Sequence, residues 1–472
     1  MSTREARFIE ILDRLVFRQP QSPYNRLLRL AGAEEGDVRS LVGAEGVEGA
    51  LDKLAAAGVR VSWDEFKGRS PVVRGSNTLH FRESDFDNRL VKTALVSGSS
   101  GTSGRPVRVK VDLDFIEESA PNWGVWFDAC GWQGRCLVFW TPTHTGLANR
   151  YLICAKLGYR YEKWFAMADM RAPFDRLRSQ AVHRLAQSTL SLPKAEPADL
   201  RQSNRVVHYL ADHPRALVNT SPSAAATLSR AALDAGRSLA GVCFLLGAEP
   251  LTPDRRKMIE SSGAACHATY GTAESGWIGV QFDCDHEHDQ VRVFRDSYAV
   301  LGGRDGAGEL LVSSLVRAAG KVLINVEIGD SGCLQQRRGD LPADRWGYDL
   351  TLHTIRSFRK ITSFGVTWAV ADLYPVVEEF LPRRFGGKVG DYQFVEKQTA
   401  HGVSQLVLRI APGVGSIDEK QVVGEFLREI GTKRSYYRPM AEMVEAAAAI
   451  SVERSAPQGS ANGKVFPVVP AT

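Results

Sequence analysis

The chain has 472 residues, of which 44% are hydrophobic and 24% are charged, and its formal net charge is +5. This length is too great for one ordinary core, so we expect two or more domains; so small a charge gives no basis for nucleic-acid binding, although it tolerates anionic substrates. No run of about 18 apolar residues and no apolar signal-peptide core occurs, which predicts a cytoplasmic protein without a membrane span.

The amino-terminal part is predicted to be helical. Residues 5–17 have one apolar helical face, and the acidic residues among the basic ones favour packing against the protein over binding to a membrane surface. A second clear helix covers residues 47–57 and ends at Gly58. The apolar face of the first helix consists of Phe8, Ile11, Leu12 and Leu15.

A Gly/Ser-rich loop at residues 97–106 separates two predicted strands. After it, Val107, Val109 and Val111 alternate with polar residues, so the loop joins strand to strand, whereas Walker-type and dinucleotide loops lead into a helix. Its glycines let backbone N–H groups converge, its hydroxyls add donors, and Arg105 adds a permanent cation. The segment is either an anion-binding loop or a flexible turn.

The following segments predict ordinary elements of a globular domain. Residues 115–130 predict a helix, residues 135–140 a buried strand, and residues 190–204 a surface connection. The seven cysteines are scattered over a long chain and several have apolar neighbours, which predicts reduced and mostly buried thiols.

The middle of the chain predicts a strand-helix-strand unit. The continuous apolar run at residues 241–246 is typical of a parallel strand covered on both faces. Thr252 is the expected cap of a helix that ends before Gly263, and residues 264–269 form the second strand. The loops after both strands therefore lie at the carboxyl edge of the sheet, where open α/β sheets bind ligands.

The five residues after the second strand, Tyr270–Glu274, have side chains that suit a nucleotide. The Tyr270 ring can stack on a base, the Thr272 hydroxyl can reach a phosphate oxygen, and the Glu274 carboxylate can hold Mg²⁺. A structural turn with the tyrosine packed beneath it is the alternative.

Three of these segments together resemble the ordered motifs of the adenylate-forming superfamily, which includes acyl-CoA synthetases, adenylation domains and luciferases: Ser99–Pro106, Gly247–Leu251 and Tyr270–Glu274. Residues 58–69 also resemble the phenylacetate-CoA ligase branch. The resemblance implies an α/β fold: a large N-terminal domain (1–355) with mixed and parallel sheets covered by helices, and a small mobile α+β C-terminal domain (356–472) that carries the hinge and the catalytic lysine.

The resemblance also implies roles for individual residues. Tyr270 and Gly271 belong to the nucleotide site, Thr272 meets the α-phosphate, and Glu274 is the Mg²⁺ ligand. Asp330, in Ile324–Asp330, binds both ribose hydroxyls, unless it is a plain turn residue. The adenine site is lined by Gly247, Ala248 and Glu249, and the phosphates are held by Ser99, Ser100, Gly101, Thr102, Ser103, Gly104 and Arg105.

The C-terminal motifs match less completely. Arg356 and Gly365 have the spacing of the superfamily's hinge segment, but Phe358 and Arg359 replace its acidic pair. Lys464 lies in a Gly-Lys segment near the end of the chain, where the resemblance implies the catalytic lysine and composition alone implies a solvated charge.

Two further sets of residues are candidates for binding. The resemblance implies that His144 lines the acid pocket, with Trp277 as a second candidate, although each also fits a structural role. Cys284, His286 and His288 are metal-ligand types at alternate positions, which would share one face of a strand; a polar surface turn is the alternative.

These observations lead to one preferred function and two alternatives. The preferred function is an AMP-forming carboxylate ligase that uses ATP and Mg²⁺ to make an acyl-adenylate from an aromatic or small acid, then transfers the acyl group to CoA. In one alternative an amine or a carrier protein accepts the acyl group. In the other, the chain is a non-catalytic nucleotide-binding scaffold.

Overall fold

A computed structural model describes most of the chain. The described residues are 3–92, 95–98, 108–141, 147–167, 193–285, 287–302, 309–337, 339, 341–357, 360–363, 366–398, 404–433, 437–458 and 468–469.

The amino-terminal helices form one side of the molecule and have their own apolar core. The predicted face of the first helix is confirmed, since Phe8, Ile11, Leu12 and Leu15 are all buried. The third helix begins earlier than predicted and bends at Gly46, where φ is 71°. The helices are α1 (Thr3–Leu12, continued by a π-helical turn Asp13–Phe17), α2 (Pro23–Leu30), α3 (Glu35–Ala56) and α4 (Trp63–Phe66).

Twelve of the described strands form one mixed sheet, in the order β13-β14-β15-β16-β12-β11-β10-β9-β8-β5-β6-β7. The half from β7 to β10 is parallel and the half from β10 to β13 is antiparallel. The strands are β5 (Cys136–Thr141), β6 (Tyr161–Ala166), β7 (Ala195–Pro197), β8 (Ala216–Thr220), β9 (Cys243–Leu246), β10 (Ala265–Thr272), β11 (Gly276–Val280), β12 (Val291–Val293), β13 (Tyr298–Leu301), β14 (Glu309–Ser314), β15 (Val326–Gln336) and β16 (Leu350–Ser357).

Helices connect the parallel strands, as the apolar strand sequences require for a sheet covered on both faces. The predicted strand-helix-strand unit is confirmed: β9 and β10 are parallel, and the Thr252 side chain accepts the N–H of Arg255 at the start of the connecting helix. The helices of this region are α5 (Leu113–Ala129), α6 (Leu147–Lys156), α7 (Ser203–Asp212), α8 (Pro222–Asp234), α9 (Pro253–Ser261) and α10 (Pro342–Arg345).

Short hairpins flank the main sheet. The predicted strand-to-strand character of the Gly/Ser-rich loop is confirmed, because β3 and β4 pair antiparallel with Leu95 opposite Val111. The paired strands are β1 (Val72–Arg74) with β2 (Asn77–Leu79), β3 (Leu95–Gly98) with β4 (Arg108–Val111), and β17 (Lys360–Ser363) with β18 (Val366–Ala369).

The last part of the chain forms a separate four-stranded sheet with helices, as the predicted fold class requires. β16 extends to Ser357 in the large sheet, and the division at residues 355 and 356 stays a prediction. The elements are α11 (Val370–Pro375), α12 (Leu381–Phe385), β19 (Tyr392–Gln398), β20 (Ser404–Ile410), α13 (Glu419–Lys433), α14 (Tyr437–Ala446), β21 (Ile450–Arg454) and β22 (Val468–Val469).

One sequence prediction is wrong. Residues 190–204 are not a plain connection, because Ala195–Pro197 pairs with β6 as the edge strand of the large sheet. Of the two alternatives for Cys284 and His288, the polar turn is confirmed, because both residues lie in turns between β11 and β12. Within the described part of the chain, no helix has both the length and the apolar character needed to cross a lipid bilayer.

Candidate active site

Two of the predicted nucleotide-binding residues, Tyr270 and Asp330, meet although they lie 60 positions apart in the sequence. Tyr270 lies near the end of β10, and its hydroxyl donates a hydrogen bond of 3.0 Å to Oδ2 of Asp330 on β15. Arg356 lies on the neighbouring strand β16, opposite Ser331, and its Nη1 is 3.3 Å from the Asp289 carboxylate. An aromatic residue and a carboxylate from distant segments are therefore in contact, while the Arg356 guanidinium on the strand next to Asp330 is paired with Asp289.

The Tyr270 hydroxyl is held as a donor. Burial raises the pKa of Tyr270 well above its ordinary value, and the Asp330 carboxylate raises it further. Tyr270 and Asp330 are 8% and 4% exposed, so little water competes for their hydrogen bond. Because the phenol keeps its proton, it positions the carboxylate and does not repel it.

The turn after β10 is held by backbone crowding and by its hydroxyls. A Cβ atom on Gly271 would lie 2.3 Å from the carbonyl oxygen of Gly276, so only glycine fits this bulge. The Thr272 hydroxyl lies 2.9 Å from the Ser275 hydroxyl and accepts the Ser275 N–H. The turn is thus ordered by its own side chains, with Thr272 at the carboxyl end of β10, as predicted.

Glu274 is paired with a lysine that sequence reasoning did not identify. Lys67 Nζ lies 2.7 Å from Glu274 Oε1, and the two side chains are 4% and 6% exposed. The same ammonium lies 3.4 Å from a Glu83 oxygen and 4.5 Å from the centre of the Trp63 ring. A carboxylate is a suitable Mg²⁺ donor, but here Lys67 already neutralises it.

In the segment Gly247–Glu249, the backbone and the Glu249 side chain have different roles. Ala248 is exposed and has a φ of 72°, while the Glu249 side chain is completely buried. Glu249 accepts the hydroxyl and the N–H of Ser223 at the start of α8, and it lies 3.3 Å from Arg255. The carboxylate therefore fastens the loop to α8 and α9, which leaves the backbone of the loop at the carboxyl edge of the sheet.

The fold matches that of solved enzymes. With 2-hydroxyisobutyryl-CoA ligase in complex with 2-HIB-AMP and CoA in the thioesterification state, the TM-score is 0.57 over 99% of this chain and 89% of that chain, at 15% identity. The chain has the fold of an adenylate-forming CoA ligase. With the same ligase in its post-adenylation state the TM-score is 0.51 at 14% identity, with the same coverage of both chains. No protein-family model and no curated protein matches the sequence.

Several predicted residues of the CoA-ligase fold lie outside the described residues, and their roles stay predictions. They are Ser99, Ser100, Gly101, Thr102, Ser103, Gly104, Arg105, His144, His286, Phe358, Arg359, Gly365 and Lys464. The described hairpin strands β3 and β4 do bracket the predicted phosphate loop.

Trp277, a predicted pocket residue, contacts a second residue that the sequence analysis missed. The Arg150 guanidinium on α6 lies 4.2 Å from the centre of the Trp277 ring, and Nη1 donates a 3.1 Å bond to Asn219 Oδ1. Burial lowers the pKa of Arg150 from its ordinary value. Within the described ranges, no carboxylate lies at ion-pair distance from Arg150.

Neither missed residue has a strong local signal. Lys67 stands 207 positions before Glu274, between Phe66 and Gly68, and nothing in that segment indicates its partner. Arg150 is one basic residue on a short helix whose tryptophan partner lies on a different strand. Both residues could be identified only from the fold, which brings each of them into contact with a partner from a distant segment.

Proposed function

We propose that this protein is an AMP-forming carboxylate ligase. The observation that carries the proposal is the contact between Tyr270 and Asp330, which lie on two strands of a sheet with the CoA-ligase fold. The sequence indicated Tyr270 as a base-stacking ring and Asp330 as a ribose ligand. One nucleotide bound across both segments requires these two residues to lie close together, and their hydrogen bond meets that requirement.

The reaction follows from the chemistry of carboxylates. A free carboxylate is a poor acyl donor because its leaving group would be oxide. One carboxylate oxygen attacks the α-phosphorus of ATP in line with the departing pyrophosphate, and the product is a mixed acyl-AMP anhydride. A thiolate or amine then attacks the acyl carbon and releases AMP. The enzyme has to position the two anions and stabilise the charge at phosphorus.

The described residues supply positioning. Asp330, held by Tyr270, would accept the two ribose hydroxyls, and the backbone of Gly247–Glu249 would line the adenine. The predicted phosphate loop and Lys464 would stabilise the phosphate charges. Mg²⁺, when bound, would add positive charge at the phosphates. Glu274 would hold it once Lys67 shifts to Glu83, whose oxygen is already 3.4 Å away.

Arg150 is the residue that would select the acid. A desolvated guanidinium stacked on an indole is suited to a planar anionic group, because it can donate two parallel hydrogen bonds to it. The Trp277 ring supplies a flat apolar wall beside it. The acid would therefore carry its carboxylate, or a second acidic group, within reach of Arg150.

The acceptor is proposed to be CoA, with an amine or a carrier protein as the alternative. The discriminating experiment measures AMP release from ATP with candidate acids, with and without CoA. Turnover that depends on CoA supports the CoA ligase, while equally fast turnover without CoA excludes it. The cytoplasm is the proposed compartment, since all seven cysteines are free thiols.

A non-catalytic scaffold would behave differently in the same assay. It would bind ATP but form no acyl-adenylate with any acid. Lys464→Ala tests the proposed lysine: the variant should still bind ATP and lose acyl-adenylate formation, while unchanged turnover would remove Lys464 from the mechanism.

A further inference from the structure

Three side chains of metal-ligand type meet away from the residues discussed above. Cys130 follows α5, His267 lies on β10, and Asp283 lies in the turn after β11. The Cys130 sulfur, a His267 ring nitrogen and an Asp283 carboxylate oxygen all lie within 4.8 Å of one another. This is the only such group within the described ranges of the chain, and it does not include Cys284 or His288.

The histidine is oriented as a metal ligand. Its Nδ1 lies 3.1 Å from the backbone carbonyl oxygen of Gln281, which can only accept a hydrogen bond, so Nδ1 carries a proton. In the neutral ring Nε2 then has a free lone pair. Metal-binding histidines are typically held in this way by a carbonyl on the other nitrogen.

That lone pair faces another acceptor. His267 Nε2 lies 3.1 Å from Asp283 Oδ1, and the histidine side chain is only 7% exposed. The ring is enclosed by aromatic residues, with the Trp132 ring centre 4.9 Å away. Two acceptors at this distance require a cation between them, which is either a proton on the histidine or a metal ion.

The third group distinguishes these two possibilities chemically. A proton would satisfy the histidine and the carboxylate alone, whereas Cys130 adds a sulfur to the same point. Burial first, and then the Asp283 carboxylate, raise the pKa of the Cys130 thiol, so a metal ion has to displace its proton. Thiolate, imidazole and carboxylate together suit Zn²⁺, while Mg²⁺ and Ca²⁺ prefer oxygen donors alone.

From this arrangement we infer that Cys130, His267 and Asp283 form a zinc site. Zn²⁺ would bind through Cys130 Sγ, His267 Nε2 and an Asp283 oxygen, and displace the thiol proton. Asp283 is 62% exposed, so the ion has a path from solvent and water can take the fourth position. The ion would fasten the end of α5 to the strand that carries Tyr270.

The test measures zinc binding directly and does not depend on catalysis. The full-length protein, freed of any affinity tag, is stripped with a chelator, dialysed and titrated with ZnCl₂, and bound metal is counted by mass spectrometry. We expect about one zinc per chain and a rise of several degrees in the apparent melting temperature. With Co²⁺ the site should show a thiolate-to-cobalt charge-transfer band.

Variants assign the ligands. Cys130→Ser should lose stoichiometric zinc and the cobalt band, and Asp283→Asn, at an exposed position, should weaken binding even if Cys130→Ser fails to fold. Cys333→Ser is the matched control, since Cys333 is also a partly buried free thiol, and it should bind zinc like the wild type. Wild-type protein that binds no stoichiometric zinc, or variants that bind it with unchanged affinity, would overturn the inference.

Discussion

The pair formed by Lys67 and Glu274 controls the charge at the predicted magnesium site. Both side chains are more than 90% removed from solvent and are joined by a 2.7 Å contact. Their attraction offsets the cost of burying each charge only while both are present. Any divalent ion that binds Glu274 therefore has to compete with a lysine that belongs to the protein.

Lys67→Met tests this pairing, since methionine keeps much of the volume and removes the charge. It leaves Glu274 without its lysine partner in a dry environment and should lower the free energy of unfolding by about 3–5 kcal/mol. Denaturant unfolding of both single variants and of Lys67→Met/Glu274→Gln provides the comparison. The double variant should lose less than the sum of the two single losses, and strictly additive losses would contradict a direct pair.

Arg150 is expected to act on the acid and not on the nucleotide. A charge-assisted hydrogen bond contributes about 1.5–3 kcal/mol, so Arg150→Met should raise the KM for the acid by roughly 10- to 100-fold and leave the KM for ATP unchanged. Arg150→Lys should recover only part of the loss, because an ammonium cannot form two parallel bonds. Arg205→Met, at an exposed site, is the control. An increase confined to the KM for ATP would place Arg150 on the nucleotide side.

At the scale of single elements, the β10–β11 hairpin depends on one glycine. A Cβ atom on Gly271 would be 2.3 Å from the Gly276 carbonyl oxygen, which is backbone and cannot rotate away. Gly271→Ala should therefore displace the turn with Thr272 and Glu274 and lower both stability and activity. In the helix α13, Gly424→Ala meets no atom within 4 Å and should raise stability by about 0.5–1 kcal/mol. Equal effects of the two substitutions would contradict the crowding at Gly271.

The strands β14 and β15 carry two interacting carboxyl groups, Glu309 and Glu327, that make stability depend on pH. Burial first, and then Glu309, raise the pKa of Glu327 from 4.5 to about 7. The folded state therefore favours the protonated form of Glu327. This contributes its full stabilisation below pH 4.5, and the contribution is lost as the pH rises through about 7.

Glu327→Gln should remove the loss of stability that the wild type shows as the pH rises through about 7. Glutamine keeps the shape and the hydrogen-bonding groups of the side chain but cannot ionise. We therefore expect the variant to be more stable than the wild type at pH 8 by about 1 kcal/mol. This value is small because the site is partly exposed to solvent. At pH 4 the two proteins should be nearly equal. Melting curves from pH 4 to 9 measure the difference, with Glu260→Gln as an exposed control. A difference that does not change with pH would exclude Glu327 as its source.

At the scale of the whole molecule, the order of the motifs along the chain predicted the fold better than the match of any single motif did. The segments at Gly247 and Tyr270 predicted a parallel strand-helix-strand unit because apolar runs and helix caps are local signals, and β9, α9 and β10 confirm it. Asp330 could be chosen only by resemblance, since a turn aspartate has the same composition. Its bond to Tyr270 depends on a sheet that spans both segments.

Other parts of the site could not be predicted because their partners are distant. Lys67 and Glu274 are 207 residues apart, and a buried ion pair leaves no periodic pattern in either segment. The Cys284–His288 pattern was compatible with a strand or a polar turn, because alternation of polar residues occurs in both, and the structure has the turn. The metal-ligand group found instead combines Cys130, His267 and Asp283, which have no common spacing.

The most direct test of the account is acid-dependent exchange of labelled pyrophosphate into ATP, measured over a broad panel of carboxylic acids without CoA. Formation of an acyl-adenylate is reversible, so the wild type should exchange with at least one acid, and Asp330→Ala should lose most of that exchange while keeping its fold. ATP binding with no exchange for any acid would contradict an adenylate-forming ligase.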